Sequence, residues 1–191
     1  YLSEPMVNEL NHKISHQHQI LNEGNSVLGR VISSYVFGNG PCRVLIWSQM
    51  HGNASTTTKA VYDLIYYLLS SDFKKSQIAE ILNELTIKVI PILNPDGSFA
   101  WTRVNANDVD LNRDAKAQSQ PETQLLINVI KDFKPDFCFN MHDQRSIFEA
   151  EKSFPATISF LSASYNASRD FNQSRLKSMS VIHQMIKFLQ I

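Results

Sequence analysis

Apolar positions along this chain switch repeatedly between helical and extended spacing. Over residues 3–15, Leu and Ile recur at helical spacing with a polar opposite face, which predicts an amphipathic helix. From Ser26 to Phe37 the apolar positions Val27, Leu28, Val31, Ile32, Tyr35 and Val36 alternate imperfectly and stop at Gly38-Asn39-Gly40. That pattern predicts an outer strand followed by a turn. Cys42 to Trp47 is a continuous apolar run broken only by Arg43, as expected of a central strand buried on both faces. Residues 55–70 return to helical spacing, with Ala60, Leu64, Tyr67 and Leu68 on one face and Ser55 or a neighbouring Thr to cap the start. A second short helix is predicted over 76–84. Thr86 to Leu93 reads as another buried strand, closed by the turn signal Asn94-Pro95-Asp96-Gly97. Gln120 to Phe133 is helical, with Pro121 suited to the first turn. Asp136 to Met141 is a third core strand and Thr157 to Leu161 a fourth. A long amphipathic helix over 170–190 follows, with Met179, Ile182, Met185, Ile186 and Leu189 on one side.

Strands alternating with helices predict α/β architecture with a largely parallel sheet, in which function gathers at the carboxyl ends of the strands. The 191 residues suffice for one domain, 1–191, with a sizeable core. Eighteen basic residues balance eighteen acidic ones, so no charge excess points to nucleic acid or an anionic membrane. No apolar run approaches the roughly 20 residues of a membrane span. Cys42 and Cys138 fall inside strand-like runs and are expected as buried free thiols, which favours a reducing compartment. With no leader visible before Tyr1, the expectation is a cytoplasmic protein; a secreted or periplasmic location stays open if a leader was removed.

Polar clusters follow three of the predicted core strands: Gln49-Met50-His51-Gly52-Asn53, Asn94-Pro95-Asp96-Gly97 and Asn140-Met141-His142-Asp143. If the strands are parallel neighbours, all three share one rim, and His51 stands near His142 despite their separation in sequence. Two strand-end imidazoles are plausible zinc ligands. His12, His16, His18 and His183 lie on helical or polar segments, where solvent or structural roles are expected. Arg103 and Arg113 follow the Asn-Pro-Asp-Gly turn, and guanidinium forks suit a substrate carboxylate. Asp110, between them, is placed to orient a ligand histidine.

In this order and at these distances, His51-Gly52-Asn53, Asn94-Pro95-Asp96-Gly97, Asp110-Leu111-Asn112-Arg113 and Met141-His142-Asp143 resemble the zinc carboxypeptidases of the M14, carboxypeptidase A-like family. The nearest likeness is to bacterial members with a Ser-Gln-Met-His-Gly-Asn-Glu-Ser-Thr-Thr-Thr stretch. The resemblance implies a three-layer α/β/α fold with a mixed, largely parallel central sheet of the phosphorylase/hydrolase type, incomplete at its C-terminal side. It implies one zinc ion held by His51 and His142, with Asp110 bonded to the first. It implies Arg103 as the group that polarises the scissile carbonyl, and Asn112 with Arg113 as the holder of the substrate's C-terminal carboxylate. The partner implied is therefore a peptide or small substrate with a free C-terminal carboxylate, not nucleic acid or membrane.

The chain departs from the pattern in two places. The second zinc ligand of the family is the glutamate of His-x-x-Glu, and that position is Ala54, whose methyl group cannot coordinate. Asn53 and Asp143 are the candidate substitutes. The general-base glutamate and the substrate-capping tyrosine of the family lie C-terminal to the region this chain covers, and Glu149 and Glu151 follow His142 too closely to match that base. The expectation is a metallocarboxypeptidase-like domain with little or no hydrolytic activity. A non-catalytic module that binds carboxylates or peptides is the alternative, and a zinc-dependent deacylase of N-acyl amino acids a third; Asn94-Pro95-Asp96-Gly97 favours the peptidase branch.

Overall fold

Residues 4–16, 18–70, 75–143, 158–164 and 166–189 are described by the computed structural model. The elements run α1 (Glu4–Ser15), β1 (Leu21–Asn25), β2 (Val31–Phe37), β3 (Cys42–Ser48), α2 (Thr56–Leu69), α3 (Lys75–Glu84), β4 (Leu85–Ile90), α4 (Pro95–Ala100), α5 (Pro121–Phe133), β5 (Phe137–Met141) and α6 (Gln173–Leu189). They fall into two compact units, Tyr1–Asp143 and Gln144–Ile191.

In the first unit five strands form one sheet in the order β1-β2-β4-β3-β5. β4 and β5 flank β3 in parallel, from Cys42↔Leu85 to Trp47↔Ile90 on one side and from Val44↔Phe137 to Ser48↔Met141 on the other. β2 joins β4 antiparallel, and β1 joins β2 antiparallel. The sheet is mixed, and its parallel part is the half that carries the predicted rim. The most continuously apolar run, β3, takes the place flanked by both parallel partners, where side chains of both parities need cover.

That cover comes from helices on both faces. Val44, Ile87, Val89, Tyr35 and Phe37 turn to one side and bury against Ile14 of α1 and Val61, Tyr62, Ile65 and Leu68 of α2. Leu45, Trp47, Ile90 and Ile32 turn to the other and meet Leu125, Leu126 and Val129 of α5. The alternation of parity along β3 thus builds the expected three layers. Each fully buried aliphatic such as Ile65 or Leu45 contributes on the order of 1.5–3 kcal/mol through its removal from water.

Four expectations are corrected. The run Ser26–Phe37 is not one strand: Ser26 to Gly29 make a tight turn, with Gly29 N–H donating to the Ser26 carbonyl at 3.0 Å, and the extended segments lie on either side. Asn94-Pro95-Asp96-Gly97 is not only a turn. Asn94 caps α4 by accepting from Gly97 N–H at 2.8 Å, and Pro95 occupies the first helical turn. Residues 158–161 join no ladder, with Leu161 90% exposed; an extended run becomes a strand only where a neighbour takes its backbone groups. Thr157 lies outside the described residues. Finally, Cys42 at the start of β3 is half-buried and Cys138 is exposed, β5 having a single neighbour among the described strands. The exposed thiol removes the argument from buried cysteines to a reducing compartment. Among the described residues, no helix is long and apolar enough to cross a membrane. In the second unit α6 buries no residue, and Leu176, Met179, Phe188 and Leu189 are exposed along it.

Candidate active site

The rim begins where β3 stops. Gln49 adopts a left-handed backbone (φ 49°), unusual without a glycine, and is completely buried. Its side-chain amide donates to the Gly52 carbonyl at 2.7 Å and to Ser98 Oγ at 2.8 Å, while its Oε1 accepts from Thr58 Oγ1 at 2.8 Å. One side chain therefore ties the β3–α2 loop to α2 and to α4. The backbone adds to this: Leu93 and Asn94 N–H groups donate to the Ser48 and Gln49 carbonyls, each at 3.1 Å. The β3–α2 loop and α4 touch so closely that a Cβ on Gly52 would lie 1.9 Å from the carbonyl carbon of Gly97. The glycine of the His-Gly pair is a requirement of that approach.

On this platform His51 is buried, and its Nε2 lies 3.1 Å from Asp110 Oδ1. An ionised carboxylate only accepts, so Nε2 carries the proton and Nδ1 keeps the lone pair. Asp110 is held in turn. Its Oδ2 accepts from Arg103 Nε at 3.0 Å, with Nη2 in ion-pair contact at 3.0 Å, and its Oδ1 accepts from the Asn112 N–H at 2.9 Å. Burial opposes the Asp110 charge, yet the Asn112 N–H, Arg103 and His51 together outweigh it and lower the carboxyl below its ordinary value. Burial, then the Arg103 charge, lowers the His51 pKa despite the Asp110 contact.

His142 follows β5 and stands beside His51, ring centroids 4.8 Å apart. Burial first, then His51 and Arg103, lower its pKa as well. Both rings are thus kept neutral at pH 7, the form that can ligate a metal.

The segment carrying Asp110, Asn112 and Arg113 is pinned from below. The Asn105 side chain accepts from the Asn107 and Val109 N–H groups, both at 3.1 Å, and donates to the buried Glu122 at 3.0 Å. Asp114 accepts from the Ser119 and Gln120 N–H groups at 3.0 Å and so fixes the entry to α5. Asn112 is half-buried; Arg113 is exposed and near enough for its charge to act on His51.

The structure thus brings His51, His142, Asp110, Arg103, Asn112 and Arg113 to one end of the sheet. It does not complete a metal centre. Catalytic zinc takes three protein ligands, and no group of three His, Cys, Asp or Glu side chains able to hold a metal exists among the described residues. Ala54 is buried, its N–H on the His51 carbonyl at 2.9 Å, with a methyl group where a carboxylate is wanted. Asn53 is exposed. Asp143 has both oxygens engaged by the start of α2, with Thr56 and Thr57 N–H groups each at 3.0 Å. The donor set present does not fit a catalytic zinc ion. Glu149 and Glu151 lie outside the described residues. The part played by Gln49 went unread in the sequence, although a glutamine placed between a buried strand and the histidine was a signal. The capping by Asp143 had no local signal, because its partners are 86 and 87 residues away.

The zinc carboxypeptidase family model (Peptidase_M14) matches residues 4–164. Mouse carboxypeptidase M is 28% identical over 185 residues, covering 84% of this chain and 41% of that protein. Carboxypeptidase 2 of Trichophyton rubrum is 26% identical over 145 residues, covering 73% and 26%. Among solved structures, a metallo-carboxypeptidase of Burkholderia cenocepacia superposes with a TM-score of 0.69 at 23% identity, over 74% of this chain and 41% of that one. A Pseudomonas aeruginosa metallo-carboxypeptidase, solved with (2-guanidinoethylmercapto)succinic acid, gives 0.66 at 24% identity, over 74% and 40%. These structural likenesses establish the fold, and the chain spans less than half the length of each of these relatives. With a family match across most of its length and the same architecture, the chain belongs to the zinc carboxypeptidase family.

Proposed function

We propose that this chain carries the metal- and substrate-facing rim of a carboxypeptidase-type hydrolase, and that Ala54 leaves it able to bind C-terminal carboxylates but with little or no hydrolysis. The observation that carries the reading is the chain of contacts His51–Asp110–Arg103 beside His142, ending at a methyl group in position 54. Asp110 uses one oxygen on the histidine and the other on the arginine, so one carboxylate fixes both. Arg103 donates Nε to Asp110 and holds Nη2 beside the same oxygen, which leaves Nη1 to donate to a substrate carbonyl oxygen. Asn112 and Arg113 stand next in sequence, where an amide and a guanidinium together suit a terminal carboxylate. His51 and His142 supply two imidazoles toward one zinc ion, held weakly without a third ligand.

The test is binding, by calorimetry, of one peptide with a free and with an amidated C-terminus. A lost charge-assisted pair of about 1.5–3 kcal/mol makes the free acid at least about tenfold tighter. That preference disappears in Arg113→Ala. Equal affinity for acid and amide would sink the carboxylate reading. Chelator-sensitive release of C-terminal residues by the unaltered chain would sink the claim of lost hydrolysis.

A further inference from the structure

We infer that Asp143 is a positioning residue: it sets the relative placement of His51 and His142 by capping α2 from the far side of the rim. This rests on the reading of those histidines as the metal-facing pair. The β3–β5 ladder ends at Ser48↔Met141, so both histidines lie beyond its last paired residues. Past that point the strands no longer fix each other. The contact that continues the connection is Asp143, the residue next to His142. Its Oδ2 accepts from Thr56 N–H and its Oδ1 from Thr57 N–H, both at 3.0 Å, with a longer contact to Thr57 Oγ1 at 3.4 Å.

The arrangement replaces a local cap by a distant one. Ser55, at the N-cap of α2, has backbone angles in the helical region (φ −96°, ψ −6°) and makes no side-chain cap bond. N-cap residues normally have extended backbones and bond their own N2 or N3 amide. Here the first two helical amides, Thr56 and Thr57, go instead to a carboxylate that follows β5, and its negative charge sits at the positive end of a 14-residue helix. The helix start, the turn from His51 to Ala54 and the end of β5 are thereby one bonded unit. Gln49 anchors the opposite side of the same loop to α2 through Thr58. Asp143 turns both oxygens to the start of α2, and it forms no three-ligand group with the histidines among the described residues.

The test uses the 191-residue chain without metal, with histidine rings isotope-labelled for NMR. The readout is the cross-peak between the His51 and His142 ring protons, with thermal unfolding measured in parallel. Asp143→Ala is expected to lose the cross-peak and shift the His142 ring resonances. Ile65→Val, which weakens α2 packing without touching its cap, is expected to keep the cross-peak despite a lower melting temperature. A parental cross-peak in folded Asp143→Ala, or equal loss in Ile65→Val, overturns the proposal. If the alanine variant does not fold, Asp143→Asn decides: its amide retains a single acceptor oxygen, so a weakened cross-peak supports the role and a parental one overturns it. The readout needs neither zinc nor activity, so a parent that fails to bind zinc sinks the metal reading without touching this result.

Discussion

Replacing Gly52 by alanine tests the central claim about the rim, that the β3–α2 loop and α4 meet backbone to backbone. The added Cβ would stand 1.9 Å from Gly97 C and 2.3 Å from both Gly97 O and Ser98 N. Carbon atoms rest about 3.5–4.0 Å apart, so the backbones must separate by roughly 1.5–2 Å. None of these neighbours is a flexible side-chain tip that could swing away. Overpacking of this kind costs about 1–3 kcal/mol. The shift also strains the bonds of Gln49 to Gly52 and Ser98 and of Asn94 to Met50, each worth about 1 kcal/mol. The expected loss is therefore about 3–5 kcal/mol, a large part of the roughly 5–15 kcal/mol that holds a domain together. At about 2–4 °C per kcal/mol for a chain of this size, the melting temperature should fall by roughly 6–20 °C. Urea titration followed by circular dichroism measures the change directly. A loss under about 1 kcal/mol would refute the close approach.

Ala54→Glu should raise zinc affinity well above that of the parent by supplying a third ligand; metal titration giving equal affinities would show that position 54 does not face the metal. Asp114 provides a pH test. Burial opposes its charge, but the Ser119 hydroxyl and the Ser119 and Gln120 N–H donors outweigh this and lower its pKa, so its stabilisation is present above the unfolded value near 4 and lost as pH falls through the folded one. Asp114→Asn should lower stability by about 1–2 kcal/mol at pH 7 and flatten the acid limb below about pH 4; parallel acid profiles for the two proteins would contradict this. The histidines run the other way in charge but the same way in pH. Both have lowered folded values, so the unfolded chain takes up protons first, and stability should decline as pH drops below about 6.5. A double His51→Gln, His142→Gln variant that keeps the decline unchanged would assign it elsewhere.

The periods of the sequence were sufficient for β3, β4, α2 and α5, where burial on one face or on both leaves a plain signature. They also placed His51 and His142 on one rim, because parallel strands end together. What they could not carry was lateral position. Cys138 lies between two phenylalanines, a more apolar setting than that of Cys42 between Pro41 and Arg43, yet it is the more exposed because β5 has one neighbour among the described strands, a property of strand order and not of local composition. Capping failed for a related reason. Local rules pointed to Ser55 or a neighbouring threonine, and the oxygen that satisfies α2 comes instead from Asp143. The bond from Asp110 to His51 was legible as chemistry. Its simultaneous grip on Arg103 was not, because a bifunctional carboxylate looks like any other aspartate until both partners are in place.

The strand order also dictates when the histidines can meet. β3 finds its β4 partner within the first half of the chain, and the two can associate early in synthesis. β5 pairs with β3 from much farther along the sequence, and pairings of that separation carry the larger loop-closure cost. The imidazole pair therefore depends on the strand pairing of greatest sequence separation in the described sheet. The ring contact needs His51 after β3 and His142 after β5, so a chain in which β5 has not docked on β3 lacks it.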